Sequence, residues 1–137
     1  MRCLGIDFGT KRIGLAVAET TTGMVFPLTT IIRTTREQMF EQLIQILALE
    51  KIEQIVVGLP THTDGTETLV TRQARNFAQS LARRTDLPLT MENETLTSFV
   101  AEDRLRQAGI SPKNLASHLD TVAAMEILQS WLAKEKK

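Results

Sequence analysis

The chain has 137 residues, 42% apolar and 23% charged, the balance of an ordinary folded protein, which excludes disorder as its main state. Its 16 basic and 16 acidic residues cancel to a formal net charge of +0, which excludes attraction of the whole molecule to polyanions. Any nucleic-acid site must therefore be a local patch. One core fits this length and two ordinary domains would be cramped, so a single domain over residues 1–137 is expected. No apolar run approaches membrane-spanning length, and Met1-Arg2 leads straight into a strand pattern without a signal-peptide segment. A cytoplasmic protein with no membrane partner is the expectation. Cys3 is the single cysteine, which rules out an internal disulfide or a thiolate metal cluster and predicts simple burial in the first strand.

In chain order, Leu4, Ile6 and Phe8 alternate with Cys3, Gly5 and Asp7, a strand with Asp7 on its small-residue face. Gly9-Thr10-Lys11-Arg12 makes a hairpin to a second strand, where Ile13, Leu15 and Val17 alternate with Gly14, Ala16 and Ala18. A third strand is predicted from Met24 to Ile32; Pro27 within it points to an edge or bulged strand. Thr34 stands three residues before Glu37, the spacing of a capping box, ahead of a helix with Met39, Phe40, Leu43, Ile44 and Leu47 as its apolar stripe. Gln54–Pro60 is apolar on both faces, as a covered central strand requires, and a polar loop over 61–66, with His62, follows it. The next helix has Val70, Ala74, Phe77 and Leu81 on one face and Arg72 and Arg75 on another. A final strand is expected over Leu87 to Asn93 with acids at its end, Glu92 and Glu94. A helix from about Thr97 to Ala108 stops at Gly109, and Ser111-Pro112 offers a new start. The last helix covers roughly Ala116 to Ala133, with Asp120 heading the inward stripe of Ala124, Ile127 and Trp131 before a fraying lysine-rich tail.

Asp7, Glu94 and Asp120 thus occupy places where packing prefers apolar side chains. A carboxylate on a packed strand costs several kcal/mol unless hydrogen bonds, a cation or a metal compensate it. Oxygen ligands of this kind suit magnesium or manganese, whereas His62 and His118 lack the paired spacing of a zinc site. Each acid also has a plain reading: an Asx turn at Asp7, a solvated strand end at Glu94, a favourable helix start at Asp120. Basic residues cluster as Lys11 and Arg12, Arg33 and Arg36, Arg72 and Arg75, Arg83 and Arg84, then Arg104, Arg106 and Lys113. Solvated helix faces account for such pairs as readily as a binding track.

The segments Leu4 to Gly14, Val56 to Pro60 with Asp64-Gly65-Thr66, Glu94 to Ser98, and Leu119 to Ala124 with Ile127-Leu128 together resemble the YqgF family. Its members are bacterial RNase H-like proteins described as Holliday-junction resolvases and as pre-16S rRNA nucleases. The resemblance spans nearly the whole chain in order and spacing. It implies an α/β, RNase H-like fold: a mixed sheet of five strands, the first three antiparallel, flanked by helices on both faces. It further implies metal-dependent hydrolysis of phosphodiesters in structured nucleic acid, with Asp7, Glu94 and Asp120 as catalytic metal ligands for Mg2+ or Mn2+. Two such ions about 4 Å apart are the usual arrangement for this chemistry. Gly9, Thr10, Lys11, Arg12 and Lys113, extended by Arg72 and Arg75, are then the candidate nucleic-acid contacts, and His118 is a candidate for proton transfer.

Two positions depart from the family pattern. Asn93-Glu94-Thr95 replaces a common Asp-Glu-Arg triplet, and the basic loop before the final Asp is reduced to Lys113, so positive charge for phosphate is lost while the ligands remain. Processing of pre-16S rRNA is the leading expectation, with rRNA precursor and ribosomal particles as partners. Alternatives are resolution of branched DNA junctions, which asks for a homodimer where RNA trimming allows a monomer, and a non-catalytic nucleic-acid-binding module. The strand-Asp-x-Gly-Thr motif also resembles the phosphate hairpin of actin-like ATPases, but those close a cleft between two such domains and this chain has length for one.

Overall fold

Large and small side chains alternate along β1 (Arg2–Phe8) and β2 (Arg12–Glu19), and this alternation sorts the two faces of the sheet. Leu4, Ile6, Phe8, Ile13, Leu15 and Val17 enter one core, while Cys3, Ala16 and Ala18 enter another on the opposite face. Across the strand pair, small residues meet small residues: Cys3 opposes Ala18, Gly5 opposes Ala16, and Asp7 opposes Gly14. The computed structural model describes residues 1–60, 66–94 and 112–135, with side chains throughout except at 94 and 112–118. The expected 61–65 loop, the helix over 97–108 and the side chains of Glu94, Thr95, Lys113 and His118 lie outside the described residues.

The sheet has five strands in the order β3-β2-β1-β4-β5, adding β3 (Met24–Ile32), β4 (Gln54–Pro60) and β5 (Leu89–Glu94). β1 to β3 are antiparallel and β4 and β5 run parallel to β1, as expected. β3 is both an edge and bulged: Leu15 pairs with Thr29 and Ala16 with Pro27, leaving Leu28 as the extra residue. Proline cannot donate to a ladder, and an edge position with a bulge removes that requirement. β5 begins at Leu89, two residues later than the sequence suggests, with Pro88 contributing only its carbonyl to the Ile55 amide.

On the large-residue face, α1 (Arg36–Leu49) contributes Met39, Phe40, Leu43 and Leu47, and α2 (Leu69–Ala82) contributes Ala74, Phe77, Ala78 and Leu81. The α1 cap is Thr35, one residue beyond the predicted Thr34: its hydroxyl accepts from the Gln38 amide at 3.2 Å. Thr34 instead donates to the Gln38 side chain, and Glu37 is simply the acid in the first turn. Val70, placed by periodicity on the core stripe of α2, is 40% exposed, and Thr71 takes the buried position beside it.

The reason is a capping box that spacing alone had not revealed. Thr68 accepts from the Thr71 amide at 3.2 Å, Thr71 accepts from the Thr68 amide at 2.9 Å, and the Thr71 hydroxyl also donates to the Pro60 carbonyl. Thr71 therefore ties the start of α2 to the end of β4. Thr71→Val keeps the shape and the amide bond to Thr68 but removes the bonds of the hydroxyl, so urea unfolding is expected to show a loss of about 1–3 kcal/mol.

On the small-residue face lies α3 (Pro112–Glu135), starting earlier and ending later than predicted, so Lys134 is helical and not frayed. Ala124, Ile127, Leu128 and Trp131 form its buried side. A Cβ on Gly5 would stand 2.5 Å from Leu128 Cγ and 2.9 Å from the Ala124 carbonyl oxygen, so the absent side chain lets the helix seat directly on β1. Further along α3, buried Glu92 of β5 accepts from Ser130 Oγ at 2.9 Å and pairs with Lys134 Nζ at 2.7 Å. Glu92 is thus a structural tie between sheet and helix. Among the described residues no helix is long and apolar enough to cross a membrane.

Candidate active site

Gly9 closes the β1–β2 hairpin: its amide donates to the Arg12 carbonyl at 2.9 Å, and a Cβ there would lie 2.5 Å from that same oxygen. Thr10 and Lys11 form the exposed tip. From the end of β3, Arg33 Nη1 donates to the carbonyls of Gly9 and Thr10 at 3.1 and 3.0 Å, and the Arg33 amide donates to the Lys11 carbonyl at 3.0 Å. The turn is held from outside as well as from within.

At the base of this hairpin Gly14 opposes Asp7, and α3 passes so close that a Cβ on Gly14 would lie 2.0 Å from the Asp120 carbonyl oxygen. Two sequence-predicted acids, 113 positions apart, are thereby brought to one spot on the small-residue face. Burial pushes the Asp7 carboxyl up to about 7, and the negative charge of Asp120 pushes it in the same direction. Among the described residues no hydrogen bond or cation stabilises the Asp7 carboxylate. Asp120 differs, because its Oδ2 accepts from Arg12 Nε at 2.7 Å, a pair whose side chains are 18% and 40% exposed.

Glu94 stands at the C-terminal end of β5, where it pairs with Pro60. Since β1, β4 and β5 are parallel, this end of β5 lies at the same sheet edge as the end of β1 that bears Asp7. Among the described residues no three His, Cys, Asp or Glu side chains gather as a metal-holding group, and Glu94 contributes only its backbone position here. The donor chemistry of Asp7 and Asp120 nonetheless fits a hard divalent cation: two carboxylate groups held close enough to repel, one without a counter-charge.

The basic candidates separate. Lys11 and Arg12 flank the acids, whereas Arg72 and Arg75 sit on α2, across the sheet from α3. Arg75 Nη2 is paired with Glu67 at 2.7 Å, so it is not a free cation, and Arg72 is exposed. Lys113 belongs to the first turn of α3 by its backbone. Sequence reading missed the Arg12 to Asp120 pair and the clamp by Arg33, because neither separation, 108 and 24 positions, follows any local period.

A mixed sheet in this order, with helices on both faces and carboxylates where β1 meets the last helix, defines an RNase H-like protein. The chain belongs to the RuvX family, described as Holliday junction resolvase, which it matches over residues 1–134. It is 48% identical over 134 residues to a protein of Maridesulfovibrio salexigens named "Putative pre-16S rRNA nuclease", covering 98% of this chain and 99% of that one. Among solved structures, the Fowlpox virus resolvase in complex with Holliday junction DNA covers 100% of both chains with a TM-score of 0.59 at 12% identity. Thermus thermophilus RuvC with a Holliday junction substrate covers 99% of this chain and 96% of that one, with a TM-score of 0.56 at 16% identity. Those two likenesses concern the fold.

Proposed function

We propose that this chain is a metal-dependent endonuclease that hydrolyses phosphodiester bonds of structured RNA, with the 16S rRNA precursor as its substrate in the cytoplasm. The observation that carries the reading is the placement of Asp7, without a described counter-charge, against Asp120 beneath a glycine hairpin. A fold that presses two acids together without a described partner for one of them favours a site that takes up positive charge. The family supports a nuclease acting on structured nucleic acid, and the name borne by the M. salexigens relative supports RNA as the substrate.

Asp7, Asp120 and Glu94 would hold Mg2+ or Mn2+, which when bound supplies the Lewis acidity that phosphodiester hydrolysis needs. Gly9 lets the hairpin turn tightly and Gly14 lets α3 seat Asp120 beside Asp7, while exposed Lys11 offers a positioning contact to phosphate. Arg12 orients the Asp120 carboxylate through Nε and leaves its terminal nitrogens for a substrate phosphate.

Arg12 also competes with a cation for Asp120. Calorimetric titration of Arg12→Gln with Mn2+ is expected to show tighter uptake than wild type, about threefold or more, while RNA affinity falls; a pair this exposed contributes no more than about 1 kcal/mol to folding. The function itself is tested by incubating the protein with precursor 16S rRNA fragments and with four-way DNA junctions in Mg2+ or Mn2+, beside Asp7→Asn. Cleavage of the RNA by wild type and not by the variant is the expected result. Equal residual cleavage by both would defeat the nuclease reading, and preferential junction cutting would replace the substrate.

A further inference from the structure

On the opposite side of the sheet from the acids, a cleft of about 340 Å³ opens between the hairpin, the start of α1 and the outer face of α2. Thr10, Arg33, Arg36, Gln73 and Asn76 supply its polar lining, and Phe8 and Phe77 its apolar wall. Among the described residues no carboxylate lines it. In a chain without net charge, two arginines beside a cleft with no acid among its described lining are a local concentration of positive potential.

The two guanidinium groups are held by neutral partners. Arg33 rests on the Phe8 ring, 4.7 Å from its centroid, while donating to the Gly9 and Thr10 carbonyls. Arg36 Nη2 donates to Ser80 Oγ at 2.7 Å, and its guanidinium carbon lies 5.2 Å above the Phe40 ring. Behind them Phe8, Phe77 and Phe40 form one stacked column, with centroids 4.4 and 5.7 Å apart. Both cations are therefore pre-positioned on a rigid wall, and among the described residues neither charge is met by a carboxylate. Gln73 and Asn76, one turn apart on α2, add amide donors and acceptors of the kind that match base edges.

The cleft adjoins the proposed cleavage site through the hairpin: Asp7 faces α3, and Phe8, the next residue, faces the cleft. A strand crossing the hairpin rim at Thr10 and Lys11 passes from one to the other. We propose that this cleft takes one nucleotide of an unpaired strand flanking the cut, its phosphate on Arg33 and Arg36 and its base edge on Gln73 and Asn76. A base locked in a duplex cannot enter a recess of this size, so the contact selects substrates with an unpaired flank. The proposal rests on the nuclease reading for its position in the substrate, but it is read by binding and not by cleavage.

The test is fluorescence anisotropy in EDTA with a single-stranded RNA 10-mer, a blunt duplex of the same sequence, and free UMP, across a salt series. Arg36→Gln is expected to weaken the single strand about tenfold and to lower the salt slope by about 0.7, the value for one lost phosphate contact. The double variant Gln73→Ala/Asn76→Ala, which keeps the charge, is expected to weaken the single strand about threefold or more with the slope unchanged. Duplex affinity stays within about twofold for both. Arg83→Gln, which removes the same charge at the exposed end of α2, leaves affinity and slope as in wild type. The proposal is overturned if Arg36→Gln and the double variant bind the single strand like wild type, if Arg83→Gln has the same effect as Arg36→Gln, or if UMP binds as tightly as the 10-mer. Because EDTA removes cleavage from the assay, a protein that cuts nothing yet passes this test defeats the nuclease reading alone.

Discussion

Asp7→Asn is expected to melt at a higher temperature than wild type at pH 8 without divalent metal, and to lose cleavage. The folded state lifts the Asp7 carboxyl to about 7, above its ordinary value of 3.8, by burial and by the charge of Asp120. Between those two values the folded protein keeps a proton that the unfolded chain has released, so stability falls as pH rises through this window. The full lift corresponds to about 4 kcal/mol. Partial solvent access at Asp7 reduces this to about 2 kcal/mol at pH 8. For a chain of this length that is about 6 °C in Tm. Below pH 4 the two proteins should melt together. Adding Mn2+ should raise the wild-type Tm and leave Asp7→Asn nearly unmoved, since only a protein with the site intact gains from binding. Cleavage should drop by about 100-fold or more, the equivalent of several kcal/mol of lost transition-state stabilisation. Equal melting at pH 8 and pH 4 would show that Asp7 is not strained by its surroundings.

The second large effect is expected at a residue with no chemistry of its own. Gly14→Ala places a methyl 2.0 Å from the Asp120 carbonyl oxygen and 2.8 Å from its Cβ, so the whole start of the described part of α3 must lift from the hairpin. Backbone cannot rotate away as a side chain can, and the cost is about 3 kcal/mol or more, at the upper end for overpacked cores. Gly5→Ala meets Leu128 Cγ at 2.5 Å, a side-chain atom, though the Ala124 carbonyl oxygen at 2.9 Å limits the relief. Chemical denaturation should therefore rank Gly14→Ala as more damaging than Gly5→Ala. Cleavage should fall further than stability alone explains in Gly14→Ala, because Asp120 leaves Asp7. The same separation should return the Asp7 carboxyl toward its ordinary range, a change visible by NMR titration. If Gly14→Ala is as stable and active as wild type, the seating of α3 on the hairpin is wrong.

Much of this arrangement is legible before any folding is considered. Strict alternation on β1 and β2 separates a large face from a small one, because successive side chains on a strand must point opposite ways. That alone puts Asp7 with Cys3 and Gly5, and the inward stripe of the last helix puts Asp120 with Ala124, Ile127 and Trp131. Pro27 announces an edge or bulged strand, and β3 is both. Errors fall at element ends, where one threonine can replace its neighbour as cap, as Thr35 does for Thr34. At Thr71 a hydroxyl bonded to the Pro60 carbonyl outweighs the hydrophobic claim of Val70 to the buried position.

Period and composition thus determine which faces exist and which acid rides on each, since those depend only on backbone geometry within one element. What they cannot determine is which elements touch. The 2.7 Å bond from Arg12 to Asp120, the clamp of Arg33 on the hairpin and the absence of room for a methyl at Gly14 all join parts of the chain far apart in sequence. Such contacts are set when the helix docks on the sheet, by the shape left where side chains are missing, and only then do two separate carboxylates become one electrostatic site.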